Sequence, residues 1–134
     1  MKWQGVMPAI TTGFNPDFTL DREYLIKHTS WLIDQGCTGI VANGTLGEAP
    51  CLSFDEKIQV LQTCVVAVGD RVPVIAGVGA FTTAQAIKIA QEAAGVGCSG
   101  LMVLPPYLYS TEWLEMKAHV KAIFSATDLP CMLY

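Results

Sequence analysis

Charge is scarce in this chain. Asp, Glu, Lys and Arg make up 15% of its 134 residues, against about a quarter in an ordinary soluble domain. The balance is acidic, with 8 Lys and Arg against 12 Asp and Glu and a net charge of −4. With a pI near 4.9 and no basic cluster, the chain has nothing to neutralise a phosphate backbone, which excludes a nucleic-acid partner. Long apolar runs are missing too. None reaches the roughly 18 residues that a bilayer span needs, which argues against a membrane protein. The opening Met1-Lys2-Trp3-Gln4-Gly5 lacks the apolar stretch of a secretory signal. The five cysteines (Cys37, Cys51, Cys64, Cys98, Cys131) contain no C-x-x-C pair and are odd in number. Reduced packing thiols in a cytoplasm are therefore expected, without a disulfide framework or a metal site. Cys51 stands apart because it follows the most informative loop. No low-complexity segment or linker interrupts the sequence, so residues 1–134 read as a single domain.

Apolar residues supply 51% of the chain, enough to offset ordering entropy and exclude intrinsic disorder. They gather in short runs at 6–10, 39–42, 72–76, 101–104 and 131–134. Each run is nearly all apolar, as in strands buried on both faces of a parallel sheet. The runs recur about every 30 residues, the length of a strand-helix unit.

The intervening segments carry helix signals. Asp21 reads as an N-cap, Leu25, Ile26, Leu32 and Ile33 as an inner face, and Gly36 as a stop. Ser53-Phe54-Asp55-Glu56 is a capping-box pattern ahead of a stripe of Ile58, Leu61 and Val65, and Gly69 closes that helix. A third helix is expected from Thr82 or Thr83 to Gly95 or Gly97, with Ile87, Ala90 and Ala94 facing inward. A fourth runs from Ser110 or Thr111 to about Ser125, with Leu114, His119 or Val120, and Ile123 inward.

The resulting (βα)4β order fits two architectures. One is the first part of a parallel (β/α)8 TIM barrel, which takes about 250 residues when whole. The other is a five-stranded, flavodoxin-like doubly wound sheet. Low charge and a last strand without a covering helix favour the barrel.

In both folds ligands bind at the carboxyl ends of the strands. Those ends read Thr11-Thr12-Gly13, Asn43-Gly44-Thr45-Leu46-Gly47-Glu48, Gly77-Val78-Gly79, Pro105-Pro106-Tyr107-Leu108-Tyr109 and Tyr134. Glu48 is the only carboxylate there, and Lys and Arg are absent. Two glycines three apart let backbone N–H groups converge on an anion, with the Thr45 hydroxyl between them. A tight turn needing positive φ at Gly44 and Gly47 would use the same residues. Gly77-x-Gly79 reads as a simple turn, because Thr82 breaks the dinucleotide fingerprint. Tyr107, Tyr109 and Tyr134 place phenols on this edge, as proton donors or as half-buried packing rings. His28 and His119 fall on helices, away from the edge. Trp3, Trp31 and Trp113 read as packing or interface residues.

Taken in order, Gly5-Val6-Met7-Pro8-Ala9-Ile10-Thr11-Thr12, Gly44-Thr45-Leu46-Gly47-Glu48, Leu52-Ser53-x-Asp55-Glu56, Pro73-Val74-Ile75-Ala76-Gly77-Val78-Gly79, Pro105-Pro106-Tyr107 and Leu129-Pro130-x-x-Leu133-Tyr134 resemble the dihydrodipicolinate synthase / N-acetylneuraminate lyase family. The resemblance covers the whole chain. It implies a (β/α)8 barrel, usually a homotetramer, acting as a Schiff-base (class I) lyase or aldolase on pyruvate or another 2-oxo acid, without metal or organic cofactor. By position, Thr45 matches the hydroxyl that contacts the keto acid and joins a proton relay. The amides around Gly44, Thr45 and Leu46 match the carboxylate cradle, and Tyr134 matches the proton-shuttling tyrosine. Tyr107 and Tyr109 fall where the family lines its site, and Glu48 matches a residue that ties down the loop.

The chain departs from the synthase pattern in three places. Leu46 stands where many synthases carry a second Thr. Leu108 stands where they carry the second tyrosine of Pro-Tyr-Tyr, and a one-residue shift would bring Tyr109 there. The Schiff-base lysine, which the family carries on its sixth strand, is expected beyond residue 134. Lys2, Lys27, Lys57, Lys88, Lys117 and Lys121 lie at the N-terminus or on helices. The resemblance thus implies an N-terminal portion that is inactive alone, from a synthase or from a hydratase-aldolase or sugar-acid lyase relative. A non-catalytic barrel that only binds a small carboxylic acid is the alternative.

Overall fold

A computed structural model describes residues 1–106, 108 and 112–134. Four strands form one parallel sheet: β1 (Ile40–Ala42), β2 (Val74–Val78), β3 (Gly100–Val103) and β4 (Cys131–Leu133). Their spatial order is β1-β2-β3-β4, with no reversal. Four helices alternate with them: α1 (Arg22–Asp34), α2 (Phe54–Val68), α3 (Thr83–Gly95) and α4 (Trp113–Phe124). The doubly wound alternative fails on this order, because such a sheet places its first strand between later ones. Here β1 pairs directly with β2, Ile40 opposite Val74 and Ala42 opposite Ala76.

The apolar run at 6–10 is expected as a strand but is not a regular one. It lies alongside β1 through a single parallel bridge, Ala9 to Val41. Thr38 N–H donates to Val6 O, Val41 N–H to Pro8 O and Ile10 N–H to Val41 O, at 2.8–2.9 Å. Pro8 has no N–H to return to the ladder, so the segment is extended without forming a full register. The third expected strand is displaced by two residues. Gly77 and Val78, read as turn residues, belong to β2.

Strand alternation separates two apolar layers. Ile40, Ala42, Val74, Ala76, Val78, Leu101 and Val103 pack against the helices. Val41, Ile75 and Met102 form a smaller cluster with Met7 and Leu104 on the other side. Parallel strands buried on both faces explain why the runs do not alternate in polarity.

The capping signals work as read. Asp21 accepts from Tyr24 N–H at the start of α1. Ser53 and Glu56 close a reciprocal capping box on α2, with Ser53 N–H donating to Glu56 Oε2 at 2.8 Å. Thr82 caps α3 by accepting from Gln85 N–H. The expected start of α4 at Ser110 or Thr111 lies outside the described residues; the helix itself begins at Trp113 after Glu112. Two expected inner positions point outward: Ile26 on α1 and Leu114 on α4 are both exposed. On α3 the buried residues are Ala86, Ile89, Ala90 and Ala93, a stripe rotated from the expected Ile87 and Ala94. His119 is buried, with its Nδ1 2.9 Å from the Thr83 hydroxyl. His28 stacks between Tyr24 and Trp31 on the outer face of α1.

The cysteines do not all serve packing. Cys64 and Cys98 are buried, Cys37 and Cys131 are half-buried, and Cys51 is exposed. Burial pushes the Cys64 thiol from its ordinary 9.0 to about 11 and the Cys98 thiol to about 12. In the unfolded chain both ionise near the ordinary thiol value. Their contribution to stability is therefore complete below about pH 9 and is lost as pH rises toward 12. Maleimide at neutral pH should label Cys51 first and reach Cys64 and Cys98 only after denaturant is added. Equal labelling of all five thiols in native protein, read by peptide mass, would contradict this burial pattern.

Candidate active site

All four strands run parallel, so their carboxyl ends share one edge. The loop after β1 and Tyr134 after β4 both lie on it. They occupy the two outer strands of the sheet. Three strand spacings of about 4.8 Å separate them, roughly 14 Å along the sheet, and rolling the sheet shortens that path. Tyr134 N–H donates to Val103 O at 2.9 Å, which continues the β3–β4 ladder and fixes the backbone under the ring. The residue as a whole is 75% exposed within residues 1–134.

The loop at 43–48 is held from several sides. Asn43 leaves β1 with φ 59°, in the left-handed region. Its side chain is buried, and Nδ2 donates to the Lys57 carbonyl in the first turn of α2 at 2.9 Å. Gly47 N–H donates to Gly44 O at 3.1 Å, and Glu48 N–H donates to Thr45 O at 3.0 Å. Thr12, from the segment beside β1, donates its hydroxyl proton to Gly47 O at 2.7 Å. Glu48 then turns into a short 3-10 helix, Ala49–Cys51, with φ 54°.

The positive φ values expected at Gly44 and Gly47 therefore fall on Asn43 and Glu48 instead. Gly47 serves close approach, whereas a Cβ on Gly44 would make only ordinary contacts at 3.6–3.7 Å. A Cβ on Gly47 would sit 3.0 Å from Ile10 O. Glu48 is expected to tie down the loop. Among the described residues its side chain makes no hydrogen bond, and Thr12 and Asn43 supply the ties.

With the loop so held, the Thr45 and Leu46 amides meet no protein acceptor among the described residues. Thr45 and Leu46 are exposed, and Gly44 is buried beneath them. Two unpaired N–H groups beside a free hydroxyl can accept a carboxylate or another small oxyanion. Tyr107 and Tyr109 lie outside the described residues. Leu108, where a second phenol is expected in a synthase, is half exposed.

A cavity of about 260 Å³ continues from this loop toward the first turns of α2 and α3. Asn43, Gly44, Thr45, Phe54, Lys57, Gln85 and Leu104 are among its lining residues. Lys57 is the one Lys or Arg among those lining residues, and burial pulls its amine below the ordinary 10.5. Sequence reasoning set this lysine aside as helical. It also missed Asn43, whose signal was an Asn-Gly pair at a strand end, where Asn tolerates the left-handed region. Among the described residues no three His, Cys, Asp or Glu gather as metal donors, and no helix is long and apolar enough to cross a membrane.

Comparisons with known proteins establish the family. The model of the dihydrodipicolinate synthetase family matches residues 2–134, and the chain belongs to that family. It is 42% identical over 129 residues to 4-hydroxy-tetrahydrodipicolinate synthase from Mycolicibacterium gilvum, covering 96% of this chain and 43% of the relative. Dihydrodipicolinate synthase from Bacillus anthracis superposes with a TM-score of 0.96 at 36% identity, covering all of this chain and 46% of that one. A prophage protein of the same family from E. coli K12, solved in complex with pyruvate, gives 0.95 at 27% identity, covering 98% of this chain and 44% of that one. The chain thus spans a little under half the length of the relatives it matches.

Proposed function

We propose that this chain supplies the carboxylate-gripping and proton-moving part of an imine-forming (class I) lyase or aldolase for pyruvate or a related 2-oxo acid. The observation that carries it is the pair of amides at Thr45 and Leu46 that meet no acceptor among the described residues, on the sheet edge that also ends in Tyr134. The substrate carboxylate accepts from those amides. A lysine amine then attacks the keto carbon, and the carbonyl oxygen leaves as water once protonated. In this reading the Thr45 hydroxyl and the Tyr134 phenol carry those protons. The lysine belongs to a later strand, beyond residue 134, so residues 1–134 form the N-terminal portion of a (β/α)8 barrel and are inactive alone. Leu46 and Leu108 remove two hydroxyls from the synthase pattern, which favours a relative with a different second substrate. The full-length protein is a cytoplasmic homotetramer in this reading and needs neither metal nor organic cofactor.

Borohydride reduction of the full-length protein in pyruvate should add the mass of a reduced imine to one lysine beyond residue 134. Trapping at Lys57 would overturn the reading, since that amine is the one desolvated lysine lining the described cavity. A carboxylate that binds without any trapped imine would favour the non-catalytic alternative.

A further inference from the structure

Asn43 lies outside the set of residues that would touch the keto acid, yet it is the buried polar group nearest in sequence to the cradle. Its side chain is 98% buried, at 2% exposure. Nδ2 is satisfied by the Lys57 carbonyl at 2.9 Å. Oδ1 is buried and has no hydrogen-bond partner among the described residues. A buried amide left half-satisfied is uncommon and has to be outweighed by what its other half does. Here that half joins the exit of β1 to the first turn of α2, between two residues that line the cavity.

The backbone of Asn43 is confined from the opposite side. Its carbonyl oxygen lies where a Cβ on Gly77 would come within 2.3 Å. The peptide that enters Gly44 is therefore held between a strand that allows no side chain and a helix that accepts one hydrogen bond. Its φ of 59° suits Asn and Gly and few other residues. The next amides along the chain are those of Thr45 and Leu46.

We propose that Asn43 is a positioning residue: its side-chain bond to α2 sets the direction of the Thr45 and Leu46 amides, and so sets how tightly a 2-oxo acid carboxylate is held. The inference rests on the carboxylate-binding role proposed for that loop. It assigns Asn43 to ground-state binding and leaves proton transfer to other groups. Loss of the tie should therefore appear in KM and spare kcat.

The test uses Asn43→Gly in the full-length protein. Glycine keeps the left-handed backbone available and removes the bond to Lys57 O together with the buried amide that makes it. Exchange of the Gly47 and Ala49 amides, which close the loop on Gly44 O, should speed up about tenfold, the scale of one lost hydrogen bond. Exchange at Leu101 and Ile123 in the core should not change. KM for pyruvate should rise about tenfold with kcat within about threefold of wild type. Asn43→Ser is the second variant if glycine prevents folding. Its hydroxyl is too short to reach α2, so the same two changes are expected. Unchanged Gly47 and Ala49 exchange would overturn the positioning role, and so would a fall in kcat at constant KM. If the wild-type protein turns over no 2-oxo acid, the function reading fails, and loop exchange still decides the role of Asn43.

Discussion

Gly77→Ala should destabilise the protein by about 3 kcal/mol, at the upper end of what an added methyl does in a packed interior. The reason is what the methyl meets. It would stand 2.3 Å from the Asn43 carbonyl oxygen, 2.6 Å from its carbon and 3.0 Å from Ala42 O. All three are main-chain atoms of the neighbouring strand and its exit. A flexible side chain could swing aside, but these atoms can move only if β1 moves. Gly77 is also inside β2, opposite Met102 on β3, so β2 cannot retreat without disturbing the next pairing. Gly95→Ala is the matching control. It lies at the end of α3 with no atom within 4 Å of its added Cβ, and alanine there should stabilise by roughly 0.5–1 kcal/mol. Urea midpoints of the two variants should shift in opposite directions. A shared direction would refute the steric account.

If the proposed function holds, Tyr134→Phe in the full-length protein should lower kcat by about 10²–10⁴, the usual worth of a positioned proton carrier. KM should stay within a few-fold of wild type, because the proposed carboxylate grip lies in the amides after the other outer strand. A urea unfolding free energy within about 0.5 kcal/mol of wild type is the companion measurement. The backbone N–H that holds the residue to Val103 O is untouched. An activity loss would thus report chemistry and not unfolding. An unchanged kcat, measured under saturating 2-oxo acid, would remove Tyr134 from the proton path.

Much of this architecture is legible in the sequence for a simple reason. Parallel strands covered on both faces read as short all-apolar runs, and four of the five runs became strands. The fifth, at 6–10, is equally apolar but contains Pro8, whose missing donor outweighed its composition. Helix starts were legible at Asp21, Ser53 and Thr82 because capping is local chemistry. Helix faces were less so. Periodicity cannot tell which of two adjacent apolar residues faces inward, and Leu114 and Ile26 went to the outside. The loop at 43–48 was located correctly, but its mechanics were not. The strained φ values fell on Asn43 and Glu48, and the ties came from Thr12 and the first turn of α2. Those partners are distant in sequence, so no local pattern announces them. The need for glycine at position 77 arises from a neighbouring strand and was equally hidden.

The strand order β1-β2-β3-β4 bears on biosynthesis. Each strand pairs with the one made about 30 residues earlier, so no strand must wait for a partner not yet translated. A ribosome delivers these pieces in the sequence in which the sheet takes them up, and vectorial growth from the amino end needs no insertion between strands already joined.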